Sequence, residues 1–195
     1  MVRTFLGIAL AGPVVTTLEH TAQAITDTSP AWRGEKWVPA ENLHITVRFL
    51  GDVPGDDVPA LKTLMAEVTS RHPTHDITLV DVTALPRTRS ANMIWATFGG
   101  GIDATATLAG ELSESLASAG YGRPEHPFAP HATLVRARRP RAIAQDALDA
   151  ARRVIEDASV PERTMSVAGV TLFASTLTPR GPRYHVLGVA RLVQD

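Results

Sequence analysis

Leu43-His44-Ile45-Thr46-Val47-Arg48-Phe49-Leu50, closed by Gly51-Asp52, is a run rich in β-branched and aromatic residues. It reads as a strand ended by a turn. The period of two puts His44 and Thr46 on one face and turns Ile45 to the other. A second run, His131-Ala132-Thr133-Leu134-Val135, has the same layout, with His131 and Thr133 on one face and Ala132 on the other. A Pro-rich or Trp-rich loop precedes each: Ser29 to Glu41 before the first, Tyr121 to Pro130 before the second.

Working outward, the two runs sit at matching places in two halves of similar order. Arg3 to Ala11 reads as a buried strand, Val14 to Ile25 as a helix entered through Pro13, and Asp56 to Ser70 as a second helix with Leu61, Leu64, Met65 and Val68 on one side. Strands follow at Ile77 to Leu85 and Met93 to Phe98. The later half offers helices at Ala104 to Ala119 and Arg141 to Glu156. It also offers strands at Met165 to Phe173 and Tyr184 to Leu192, with a turn over Thr178 to Arg183 between them. His44 and His131 are offset by 87 positions, and Val82-Thr83 and Val170-Thr171 by 88. An internal duplication is expected: two lobes related by a pseudo-twofold axis, with equivalent residues facing each other across a cleft. Residues 1–195 are expected to form a single domain of two interleaved lobes.

Composition bounds the function. The 195 residues are 44% hydrophobic and 20% charged, as in an ordinary globular chain. The net charge of -1 gives no global field for long nucleic acid, so any nucleic-acid contact is local. With no cysteine there is no disulfide, no thiolate nucleophile and no cysteine-based metal site. The two lysines, Lys36 and Lys62, follow no glycine-rich loop, which excludes a P-loop. The apolar start stops at Gly12-Pro13, too short for a signal peptide, and no apolar run is long enough to span a membrane. A cytoplasmic monomer is expected.

His-x-Thr alone is a weak signal, because it occurs three times, at His44, His72 and His131. His72-Pro73-Thr74 lies in a polar stretch after a helix and reads as surface loop. The other two lie in strands. Opening a phosphodiester needs a base for the attacking oxygen and an acid for the leaving one, and histidine serves both roles near neutral pH. Threonine hydroxyls beside them can donate to the non-bridging phosphate oxygens, where charge develops. Two histidines with no acidic or thiol neighbour in either motif are too few to hold a metal, so neither metal nor cofactor is expected. Alternation also puts Arg48 on the His44 face. Trp37 and Phe128 are candidate stacking faces for a base, though such residues more often pack a core.

Asn42 to Gly51 and Pro127 to Arg136 resemble the two signatures of the 2H phosphoesterase superfamily. Within it the chain is most similar to the RNA 2',3'-cyclic phosphodiesterases, also called 2'-5' RNA ligases. The likeness extends to the opening strand, the Trp-rich loop and the segment Leu172 to Leu177 with Gly181 and Tyr184. It implies an α+β fold in which two antiparallel sheets line a central cleft with helices outside. It implies a substrate, an RNA end or nucleotide carrying a 2',3'-cyclic phosphate, opened to a 2'-phosphomonoester without metal. Ligation would be the reverse step. By the same resemblance His44 is the proton donor and His131 the acceptor. Thr46 and Thr133 bind phosphate, and Arg136, five positions after His131, contacts substrate. Strict alternation puts Arg136 on the wrong face, so its strand must bulge or end before it. A noncatalytic RNA-end binder, or an enzyme acting on another cyclic or 2'-5' nucleotide, remains the alternative.

Overall fold

Residues 1–178 and 181–194 of the computed structural model are described below. The expected turn over Thr178 to Arg183 includes Pro179 and Arg180, which lie outside them. The strands are β1 (Val2–Ala9), β2 (Lys36–Trp37), β3 (His44–Val53), β4 (His75–Leu85), β5 (Ala91–Gly99), β6 (His131–Arg141), β7 (Thr164–Val167), β8 (Gly169–Thr178) and β9 (Gly181–Arg191). The helices are α1 (Pro13–Thr28), α2 (Val58–Thr69), α3 (Ile102–Leu116), α4 (Gln145–Asp157) and the single turn α5 (Val160–Arg163). Pro13 opens α1 from its first turn, where a missing N–H costs nothing. Ser159 and Glu162 close a reciprocal capping box around α5. That Ser-x-x-Glu signal was present in the sequence.

The strands form one curled antiparallel sheet in the order β7-β4-β5-β6-β3-β1-β8-β9, with β2 beside β6. The expected two sheets are thus four-stranded halves joined at β6 and β3. The seam is a single residue pair, Ile45 with Ala132, and both side chains are fully buried. Helices cover the outer, convex face. α2 packs on β8, β9 and α3, while α1 packs on α4 and α4 on β4. The two halves are interleaved. α1 follows β1 but packs in the β4–β7 half, and α3 follows β5 but touches β3 in the other. Among the described residues no helix is long and apolar enough to cross a membrane.

The strand expected over Met165 to Phe173 is instead two strands that join different halves of the curled sheet. β7 pairs with β4, and β8 pairs with β1. The chain changes lobes between Val167 and Gly169. No side chain fits at Gly169, where a Cβ would lie 2.7 Å from the Ala190 carbonyl oxygen. His72 corrects another expectation. It is 9% exposed, its Nε2 lies 3.2 Å from Glu111, and its carbonyl accepts from the Val193 N–H. It therefore ties α3 and the C-terminal segment together. Trp37 and Phe128 pack against the core, and the Trp37 indole donates to the Trp32 carbonyl.

Candidate active site

Because β3 and β6 run antiparallel through Ile45 and Ala132, His44 lies diagonal to His131, with Thr133 beside one and Thr46 beside the other. Four side chains therefore meet on the concave face at the seam. The two imidazoles are held alike. His44 Nδ1 lies 2.7 Å from the Asn42 carbonyl oxygen, and His131 Nδ1 lies 2.7 Å from that of Ala129. A carbonyl only accepts, so Nδ1 carries hydrogen in both and Nε2 is the working atom. His44 Nε2 is 3.1 Å from the Thr46 hydroxyl. Each ring can therefore take or give a proton at Nε2 without turning.

Both strands break alternation at the third residue after the histidine. On β3, Thr46 pairs with Gly7 and Arg48 with Leu6, so Val47 is the extra residue of a bulge. On β6, Thr133 pairs with Trp95 and Val135 with Ile94, so Leu134 is the extra residue there. Each bulge exchanges the faces of the residues beyond it. Arg136 is thereby turned to the concave face, near enough for its charge to act on both histidines. The same bulge carries Arg48 away. Arg48 is 7% exposed on the helix side and donates to the Gly122 carbonyl at 2.9 Å and to that of Tyr121 at 3.4 Å. The expected place of Arg48 at the cleft is thus corrected: its equivalent in the other half is the core residue Val135, and Phe49, not Arg48, matches Arg136.

The surroundings of the histidines differ. On the His44 side Gly7 leaves room for the ring. Phe5 lies at 4.8 Å between centroids and the Tyr184 ring stands edge-on at 5.3 Å. On the His131 side the position matching Gly7 is Trp95, which stacks on the imidazole at 3.6 Å and 16°. Arg136 Nη1 rests on the Met93 sulfur at 3.0 Å. Burial holds both histidines below the ordinary imidazole value, since it disfavours the charged form. The carbonyl at each Nδ1 opposes that shift, while Arg136 reinforces it at both, as does His131 at His44. Burial also raises the Tyr184 phenol. Gly7, Phe5 and Trp95 carried no motif. Trp95 could be placed on a strand, but its register against β6 is a long-range pairing that no local pattern encodes. Among the described residues no three His, Asp or Glu side chains gather into a metal-holding set.

The model of the family described as LigT like Phosphoesterase matches residues 16–95 and 101–184, one segment in each half. The chain belongs to this family. It is 31% identical to the RNA 2',3'-cyclic phosphodiesterase of Aeropyrum pernix over 152 residues, 78% of this chain and 83% of that one. It is 32% identical to the protein of the same name from Archaeoglobus fulgidus over 156 residues, 80% of this chain and 83% of that one. Its fold superposes on Escherichia coli LigT complexed with 3'-AMP with a TM-score of 0.73 at 25% identity, covering 99% of each chain. The protein TT0787 of Thermus thermophilus gives 0.73 at 25% identity over 97% of each. In this LigT-like phosphoesterase, then, the seam of the duplicated sheet is where the chemistry-bearing side chains converge.

Proposed function

We propose that the protein hydrolyses a 2',3'-cyclic phosphate at an RNA end or on a nucleotide to the 2'-phosphomonoester, with His44 and His131 as acid and base. One observation carries the reading. Two histidines, each locked through Nδ1 to the carbonyl two residues before it, stand with Nε2 on the same face of the seam as two threonines, within reach of the charge of an arginine. A phosphodiester seated there meets hydroxyl donors from Thr46 and Thr133 and the guanidinium of Arg136. These are the groups that stabilise charge growing on its non-bridging oxygens. His131 Nε2 takes a proton from water as the water oxygen bonds to phosphorus. The bond from phosphorus to the 3' oxygen breaks, and His44 Nε2 gives that oxygen its proton. Which histidine plays which part follows from the family likeness, because the duplication makes the pair nearly equivalent. Ligation is not the reverse of this hydrolysis, which would close the ring and expel water. With the 5'-hydroxyl of a second RNA in place of water, His131 takes its proton, its oxygen bonds to phosphorus, the bond to the 3' oxygen breaks and His44 protonates that oxygen, so a 2'-5' diester forms with no further group. All five side chains come from one chain, so a monomer suffices, and the cysteine-free composition suits the cytoplasm.

The test is turnover of 2',3'-cyclic nucleotides in EDTA, with the product identified. A 2'-phosphate is expected. His44→Ala and His131→Ala should each lose about 10²–10⁴-fold in rate, the ordinary worth of a proton-transfer group. Full activity in either variant, or loss of wild-type activity on chelation, would overturn the mechanism. Tight binding of cyclic-ended RNA with no turnover would favour the noncatalytic alternative.

A further inference from the structure

The bulged strands β3 and β6 have the same burial pattern, position by position, through the ninth residue from each histidine. Up to the bulge they differ only by apolar exchanges, Ile45 for Ala132 and Val47 for Leu134; past it they diverge in charge, first at the buried positions Arg48 and Val135 and then at exposed ones. Phe49, Gly51 and Asp52 on β3 stand where β6 has Arg136, Arg138 and Arg139. Lys36 pairs directly opposite Arg136 and so shares its face. The turn carrying exposed Arg87 and Arg89 is fastened beside the end of β6 by the Ile143 N–H to the Thr88 carbonyl, at 2.8 Å.

These cations are also unspent. Glu35, the carboxylate within the strip, is 4% exposed and pairs with Arg141, and it accepts from the Arg138 backbone N–H rather than from its guanidinium. Among the described residues the side-chain cations of Lys36, Arg89, Arg138 and Arg139 have no carboxylate within 4.0 Å. The opposite exit, past β3, bears Asp52, Asp56 and Asp57, with Arg3 paired across from Asp52. A chain of net charge -1 therefore concentrates free positive charge on one side of a symmetric clamp.

We propose that, when an RNA end occupies the cleft, the nucleotides 5' of the cyclic phosphate leave it over the β6 side, their phosphates lying along Lys36, Arg138, Arg139 and Arg89. The inference rests on the proposed cyclic phosphodiesterase activity and adds the polarity with which a strand is bound. The duplicated clamp grips the cyclic phosphate from both sides but cannot choose a direction for the strand, and the divergent charge chooses it. Backbone contacts of this kind add affinity without base preference and weaken with salt.

The test compares kcat/KM on 2',3'-cyclic AMP with that on a cyclic-phosphate-ended RNA of about ten nucleotides, a length within the span that such surfaces engage. Arg138→Ala/Arg139→Ala should leave the mononucleotide unchanged and lower the RNA value about ten-fold at low salt. Its log–log salt slope should fall by about 1.4, two contacts at ~0.7 each. Arg138→Lys/Arg139→Lys should keep the RNA rate, and Asp52→Lys should change neither substrate. Equal loss on both substrates, no loss on RNA, or faster RNA turnover in Asp52→Lys would overturn the proposed path. If the wild type turned over neither substrate, the activity itself would be refuted. Anisotropy of a 5'-labelled RNA ending in a 2'-phosphate then judges the strip alone: weaker binding by the double alanine variant supports it, and unchanged binding overturns it.

Discussion

Replacing Gly7 with alanine probes how closely the sheet positions His44. Gly7 pairs with Thr46 in ordinary extended backbone, so alanine brings no backbone strain. The difficulty is space. A Cβ at this position would lie 3.2 Å from the Ile45 carbonyl oxygen, 3.3 Å from His44 Cδ2 and 3.4 Å from a Phe173 ring carbon. Ile45 is fixed at the seam by its pairing with Ala132, so the imidazole is the neighbour free to yield. Restoring ordinary contact displaces it by about 0.4 Å, at an overpacking cost of about 1 kcal/mol. A 1 Å misplacement of a catalytic group costs about 10²-fold, so a shift of this size should cost roughly five- to ten-fold in kcat. The assay is steady-state hydrolysis of a 2',3'-cyclic nucleotide alongside thermal melting. A kcat within about two-fold of wild type, in a variant whose melting shows the strain, would refute the claim that Gly7 sets the ring position.

Four further outcomes are expected. In the proposed mechanism the rate depends on one neutral and one charged histidine, and burial holds both below the ordinary 6.5, so the kcat/KM profile should be a bell centred on the acid side of 6.5. Arg136→Gln removes a charge that favours the neutral rings, so besides weakening phosphate binding it should move the bell to higher pH, and a shift to lower pH would contradict the placement of Arg136. Arg48→Ala should leave kcat intact and destabilise the fold by about 2 kcal/mol, or roughly 4–8 °C in Tm, since it loses two charge-assisted hydrogen bonds to loop carbonyls; a large kcat loss at unchanged Tm would return it to the cleft. His72→Ala should spare turnover and lower stability by about 1 kcal/mol through lost packing under the C-terminal segment, a loss that calorimetry would detect.

Much of the site was readable locally. The period of two placed His44 with Thr46 and His131 with Thr133, and the apolar strand settings separated both from His72. The bulges were not readable, because Val47 and Leu134 become extra residues only against β1 and β5, partners distant in sequence. Alternation therefore promoted Arg48 and rejected Arg136. The family likeness, which already places an arginine five residues after the second histidine, named the one that the bulge turns to the concave face. The split of Met165 to Phe173 into two strands failed to show for the same reason. A continuous β-rich run does not reveal which edge each part will join. His72 was misread because its polar neighbourhood hides a burial created by α3 and the C-terminal segment.

The interleaving of the halves bears on how the chain acquires its structure. β1 must find β8 at the far end of the sequence, and α1 must cross to α4, before either lobe has its full complement of layers. Such long loop closures slow folding. Neither half holds a complete hydrophobic core of its own, so denaturation should proceed as one cooperative transition, with lobes and catalytic cleft lost together.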